Sequence, residues 1–341
     1  MQTEAQHQLS SNSPPESPTT HLDFQRMFPD EAACLRYLEK MRWPKGFVCD
    51  ACAVAGDPFR IATYPRKLKC RACYHLTTVT ADTVMHRSKT KVHVWFWAAY
   101  LVAAQTPGVS ALELKKRLGI KRYETAFQIL HKLRAAMVRP SRDKIGAEWP
   151  LEMDIVFVGG KHRSGTQGKT DKKPVIIAVE IRRREVRDPK TEKITERSLA
   201  GRVRIQCLPN KSAASVDKFV RDCIAPGAVI VSDDGNEFTN LLGLGYDHRP
   251  VPMRGDRALM DSTLPMVSRV TANLKTWIAG TFHSVRQKHL QAYLNEYVFR
   301  FNRRFHRSLS FCSLLGLGTL QAGPTYKEVY GVVSRKKSIN S

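Results

Sequence analysis

Leu151-Glu-Met-Asp154-Ile-Val-Phe-Val158 and Val229-Ile-Val-Ser-Asp233-Asp-Gly235 are two short apolar runs, each carrying an aspartate. Runs of this length, rich in β-branched residues and bounded by turn formers, read as buried strands. A carboxylate on such a strand is costly unless it is paired, binds a metal or ends the strand in a turn. A lone Asp is most often a strand-end residue, and Asp233-Asp234-Gly235 taken alone reads as a turn. The order of the neighbouring elements gives the pair a further meaning.

Working outward, Pro174 to Ile181 and Arg202 to Leu208 follow the first run as strands with no helix between them. The connections are a basic loop, Gly159 to Lys173, and a charged loop, Arg182 to Ala200. A helix over Ala213 to Ile224 then leads to a strand over Ala228 to Ser232. That layout is an antiparallel meander passing into a parallel pair through a helical crossover. Three strands, helix, strand, helix is the order of an RNase H-like core with a mixed sheet. Its first and fourth strands are neighbours, which brings Asp154 and Asp233 to one sheet edge. Two strand-borne aspartates are the minimum clamp for a pair of Mg2+ or Mn2+ ions acting on a phosphodiester.

The chain has 341 residues, 42% of them hydrophobic, enough for two or three domains in a multidomain α+β protein. Lys and Arg number 55 against 31 Asp and Glu, a formal charge of +24. Such a field attracts phosphate backbones, although a solubilising or ribosome-associated surface also produces it. No apolar run approaches the roughly 18 to 20 residues that span a bilayer. Residues 1–20 lack the apolar segment of a signal peptide and read as a disordered leader, so the chain is expected in the cytoplasm, with the nucleoid, and with reduced thiols.

Cys49-x2-Cys52 and Cys70-x2-Cys73 are separated by seventeen residues, the spacing of a four-cysteine structural Zn2+ site. A redox CxxC is the competing reading, but no βαβ pattern surrounds either pair. With a short helix before it, between His21 and Trp43, the zinc ribbon is expected over 21–85, with strands at Phe59 and at Lys67 to Cys70. Residues 90–140 carry three helical patterns: Val92 to Ala104, Ala111 to Leu118 capped by Ser110, and Tyr123 to Val138. The last two outline a helix-turn-helix that would present Lys121, Arg122, Tyr123 and Thr125 to DNA. An ordinary helical hairpin has the same outline.

At this point several blocks resemble a known family. These are the ribbon, Met153-Asp154-x3-Val158-Gly-Gly-Lys161, Ser232-Asp233, Asn273-Leu-Lys275-x-Trp277, and Phe299-Arg-Phe-Asn-Arg-Arg304. They are similar to bacterial insertion-sequence transposases that pair a zinc ribbon with a DDE-type domain, here expected over 150–315. The resemblance implies an RNase H-like catalytic domain, dependence on Mg2+ or Mn2+, and an oligomeric enzyme. Its partners would be double-stranded DNA bearing terminal inverted repeats, and a target DNA.

Residue by residue, Asp154 and Asp233 match the first two catalytic acids and Lys275 the basic residue beyond the third. The third position, seven residues before that lysine, is Glu, Asn or His in the family and Ser268 here. Serine is a weak, neutral ligand for magnesium. An active enzyme and a decayed, DNA-binding descendant therefore both stand as readings, with Asp234, Glu237 and Asp261 as acids that could replace the missing charge. Ser284 to Phe305 reads as a long helix with Arg300, Arg303 and Arg304 near its end as DNA contacts, and 330–341 as a basic tail.

Overall fold

Thr20 and Asp30 each open a helix at the start of the structure, a computed structural model that describes residues 16–105, 107–159, 172–187, 192, 194–252, 256–282 and 285–330. Most of the expected leader and nearly all of the basic tail lie outside the described residues. Helix α1 (His21–Met27) begins with a capping box, in which Thr20 accepts the Asp23 N–H and Asp23 accepts the Thr20 N–H. Asp30 caps α2 (Glu31–Arg42) by accepting the Ala33 N–H at 2.7 Å. One helix was expected here; Pro29, which cannot extend a helical ladder, makes it two.

The ribbon strands β1 (Phe59–Arg60), β2 (Lys67–Lys69) and β3 (Leu76–Thr78) form an antiparallel sheet in sequence order. Helices α3 (Val92–Ala104), α4 (Ala111–Arg117) and α5 (Tyr123–Ala136) follow. Ser110 caps α4 as expected, accepting the Glu113 N–H at 3.1 Å. Lys91, at the N-terminus of α3, supplies no side-chain cap. Glu31 of α2 does so from a distance, accepting the N–H groups of Val92 and His93 at 2.9 and 2.8 Å while Arg66 donates to it at 2.7 Å. Burial raises the Glu31 carboxyl, but those three donors outweigh it and hold the group below its ordinary value.

The second compact unit, Ser141–Phe305, is built on a five-stranded sheet. Its elements are β4 (Leu151–Val158), β5 (Lys173–Arg187), β6 (Ile194–Cys207), α6 (Ala213–Cys223), β7 (Val229–Asp233), β8 (Asp247–Val251), α7 (Arg257–Thr263), α8 (Pro265–Phe282) and α9 (Leu290–Asn302). The strand order is β6-β5-β4-β7-β8. The first three are antiparallel, and β7 and β8 run parallel to β4. Alternation along β4 sorts the faces: Leu151, Met153 and Ile155 pack on Val216, Phe219 and Val220 of α6. Val156 and Val158 pack on the opposite face with Val267, Val270 and Leu274 of α8 and Leu290 and Leu294 of α9.

Two expectations change. The charged loop Arg182 to Ala200 is largely strand, since β5 and β6 continue as a hairpin to the Arg187–Ile194 pair. Without a buried face those strands have no apolar alternation to announce them. The long helix at 284–305 is shorter, α9 beginning at Leu290.

Beyond Phe305 the chain rejoins the first unit, Met1–Pro140 with His306–Ser341, through α10 (Ser310–Thr319) and α11 (Tyr326–Tyr330). The reason is Phe311, whose ring lies 5.8 Å from Phe24, 5.6 Å from Phe28 and 5.9 Å from Phe96. Residue 315, the expected end of the catalytic domain, therefore falls inside a helix of the first unit. No helix among the described residues is long and apolar enough to cross a membrane.

Candidate catalytic and metal sites

The two cysteine knuckles are built alike. The residue after each pair, Ala53 or Tyr74, takes a left-handed backbone with φ of 58°. The Ala51 and Ala72 N–H groups donate to Cys49 Sγ and Cys70 Sγ, each at 3.4 Å. Cys49 Sγ lies 3.6 Å from Cys73 Sγ and Cys52 Sγ 3.7 Å from Cys70 Sγ, with all four sulfurs within 4.8 Å of one another. Sulfurs about 2.3 Å from a tetrahedral zinc stand about 3.8 Å apart. The donor set and its size fit a structural zinc.

In the second unit, Met153 of β4 pairs with Ser232 of β7, so the next residue in each strand, Asp154 and Asp233, stands beside the other. Val156 and Val231 belong to the α8 side of the sheet, and strand periodicity puts both aspartates on that same face. Asp154 is 7% exposed. Burial, then the charge of Asp233, pushes its carboxyl up to about 6, while Lys211 and Lys275 pull the other way. Asp233 is raised by burial and then by Glu237. Its Oδ1 is buried without a hydrogen-bond partner. An orphaned carboxylate oxygen beside a second buried carboxylate is a donor set suited to a divalent cation such as magnesium or manganese.

Glu237, in a one-turn helix just past Asp233, is buried and ion-paired to Lys211 at 2.7 Å. Its carboxyl folds over Gly235 so closely that a Cβ there would come within 2.8 Å of it. Of the three acids offered by the sequence as replacements, Asp234 and Asp261 stand exposed, and Glu237 alone is buried next to Asp233. Ser268 lies in the first turn of α8, its Oγ buried with no partner, and Lys275 lies two turns further on, exposed.

Two residues of this site went unread. Nothing in the sequence marks Lys211, which sits in a loop. Glu152 did leave a signal, a second acid two residues before Asp154 on an apolar strand. It is 3% exposed and accepts the Met266 and Val267 N–H groups, both at 2.7 Å, capping α8 from β4. Burial pushes its carboxyl to about 7 against those two bonds and Arg269.

The remaining predicted contacts divide. Lys121, Arg122 and Tyr123 are exposed at the start of α5; Thr125 is half-buried. The arginines at the end of α9 have partners within their own unit. Arg300 pairs with the buried Glu296 at 3.4 Å, and Arg303 lies 4.0 Å over the Phe299 ring. Arg304 donates to the carbonyls of Ala200, Gly201 and Phe301. Arg304 belongs to a seam along β6, the sheet's edge strand. Asn302 exchanges two hydrogen bonds with the Val203 backbone and Gln291 accepts from the Cys207 N–H. Covering an edge this way blocks its pairing with another chain, and it accounts for much of the Phe-Arg-Phe-Asn-Arg-Arg block. Gly160, Lys161 and His283 lie outside the described residues.

Family models place the chain in a class: the ISXO2-like transposase domain matches residues 148–302, and the transposase zinc-ribbon domain matches residues 29–76. The chain belongs with the insertion-sequence transposases that carry an N-terminal zinc ribbon. No curated protein and no solved structure matches it.

Proposed function

We propose that the protein cuts and joins DNA at the terminal inverted repeats of its element, with Asp154 and Asp233 as the metal-holding acids of an RNase H-like domain. The observation that carries this reading is the buried Asp154 carboxylate beside the half-buried Asp233, whose Oδ1 is enclosed and unsatisfied. Folding alone gives no reason to bring two like charges together out of water. Mg2+ or Mn2+ bound there supplies activation of the attacking water or 3′-hydroxyl and stabilisation of the leaving oxygen.

The chain's own groups do the rest. Asp154 and Asp233 give up their protons and fix the position of the cation. Lys211 offsets the negative charge gathered by Asp154, Asp233 and Glu237. Lys275, exposed and near enough to act on Asp154, contacts a phosphate of the DNA. Glu237 supplies the third carboxylate that position 268 lacks. Lys121, Arg122, Tyr123 and Thr125 read the repeat from the start of α5, and the enzyme works as a homo-oligomer on DNA.

Ser268 favours one other reading, a DNA-binding descendant that no longer cuts. Both are tested by incubating the full chain with Mg2+ or Mn2+ and DNA carrying the flanking repeats. The active enzyme cleaves at the element ends, and Asp154→Ala or Asp233→Ala abolishes cleavage while binding persists. Equal cleavage by mutant and wild type removes the catalytic assignment. Binding without cleavage by the wild type selects the descendant.

A further inference from the structure

The arm of the β5–β6 hairpin beyond Glu180 has no folding rationale of its own. Between Val179 and Ile181 the register shifts, and from there seven successive pairs run from Ile181↔Ala200 to Arg187↔Ile194. Residues 182–185 and 194–199 are all exposed. A lone two-stranded ribbon is marginally stable in water, so one kept at this length points to a partner.

Its two faces differ in charge. Arg183 and Arg187 share one face with Glu185 and Glu196; Arg183 pairs with Glu196 at 3.6 Å and Arg187 with Glu192 at 3.2 Å. The other face carries Arg182, Arg184 and Arg197 and no acid. Arg184 and Arg197 are direct cross-strand partners, and neither has an ion pair among the described residues. Arg182 reaches only Glu180, 3.6 Å away and already held by Arg202 at 3.0 Å. Like charges set directly opposite each other weaken a ribbon. An anion lying across both strands would reverse that cost.

We propose that the Arg182, Arg184 and Arg197 face is a DNA-contacting arm that lies against a duplex, its guanidinium groups held by successive phosphates. A two-stranded ribbon fits the major groove of a duplex, and arginine matches phosphate with paired, charge-assisted bonds. The inference rests on the transposase reading for its choice of partner.

The test uses the full zinc-loaded chain, Arg184→Gln/Arg197→Gln, and Arg183→Gln as a control from the charge-balanced face. The probe is a mixed-sequence DNA duplex titrated over a range of salt concentrations. Each phosphate contact contributes roughly 0.9 to the slope of log affinity against log salt. The double variant should lower that slope by about 2 and weaken low-salt binding by about 10- to 100-fold, with its melting temperature equal to or above that of the wild type. Arg183→Gln should change the slope by less than half as much.

A double variant that binds with unchanged slope and affinity overturns the arm while leaving the transposase reading intact. A wild type that does not bind duplex DNA at all removes the reading beneath it. If sedimentation shows that the double variant loses self-association while each remaining protomer binds DNA as before, the face joins copies of this chain and the proposal is wrong. Arg184→Lys/Arg197→Lys guards against misfolding: keeping the charge should restore most of the affinity, and failure to do so in a folded protein also counts against the arm.

Discussion

The carboxylate of Glu152 accepts the backbone N–H of Val267 at 2.7 Å, tying the first turn of α8 to the strand that carries Asp154. Ser268 and Lys275 ride on that helix, so one buried side chain sets where they stand relative to the aspartates.

Glu152→Ala orphans two buried N–H groups, those of Met266 and Val267, and should cost about 2 to 4 kcal/mol in urea melts. Glu152→Gln keeps an oxygen for both bonds and should cost less than about 1 kcal/mol. The folded protein holds a proton on Glu152 up to about pH 7, whereas the unfolded chain loses it near its ordinary value. Stability should therefore fall as pH rises between those two values, and Glu152→Gln should flatten the fall. A steeper fall in the variant would rule out Glu152 as its source.

Asp154→Asn should stabilise the metal-free protein while removing cleavage. Burial and the neighbouring Asp233 charge raise the Asp154 carboxyl to about 6, so at pH 8 its ionised form is held at a cost of about 1 to 3 kcal/mol. The gain in melting temperature should shrink as pH drops to the ordinary aspartate range, where the acid is protonated in both states. A variant less stable at pH 8 would contradict the crowding of charge at this site.

Glu31 works in the opposite direction. Its carboxyl sits below the ordinary value, so the stability it contributes is present above that value and is lost as pH falls through the folded one. Glu31→Gln should cost about 1 to 3 kcal/mol at neutral pH and almost nothing in strong acid. Acid titrations of stability that run parallel for wild type and variant would contradict this role of Glu31.

Each chain should hold one zinc, released by acid or by a strong chelator. Binding to a cage of this kind supplies about 10 to 16 kcal/mol in isolated zinc modules, enough to decide whether residues 47–79 fold. Hydrogen exchange after Cys70→Ser should show those residues opened and the sheet carrying Asp154 unchanged. Full protection of the ribbon without metal would mean that its small core suffices.

Ser268→Glu and Glu237→Gln test the third carboxylate with a readout apart from turnover. Manganese titrated into each variant should bind about tenfold tighter to the first and about tenfold weaker to the second than to the wild type, one charge each way in a shared site. Unchanged affinity in Glu237→Gln would take that residue out of the metal site.

What was legible follows from what leaves a trace in one dimension. The strands bearing Asp154 and Asp233 were readable because burial on both sides demands unbroken apolar runs, and the cysteine knuckles because metal ligation fixes their spacing. The hairpin arm was read as a loop because exposed strands need no apolar period. The edge strand β8, Asp-His-Arg-Pro-Val, lacks one as well. Lys211 joins the aspartates only through tertiary proximity. The arginines near the end of α9 have partners that charge alone does not announce: Glu296 for Arg300, the Phe299 ring for Arg303 and carbonyls of the sheet for Arg304.

Phe311 carries a consequence for synthesis on the ribosome. The aromatic nucleus of the first unit needs that ring, yet it is translated only after the whole intervening unit has emerged. A nascent chain stopped anywhere before it would lack the ring that packs on Phe24, Phe28 and Phe96, so the N-terminal half is completed last although it is made first.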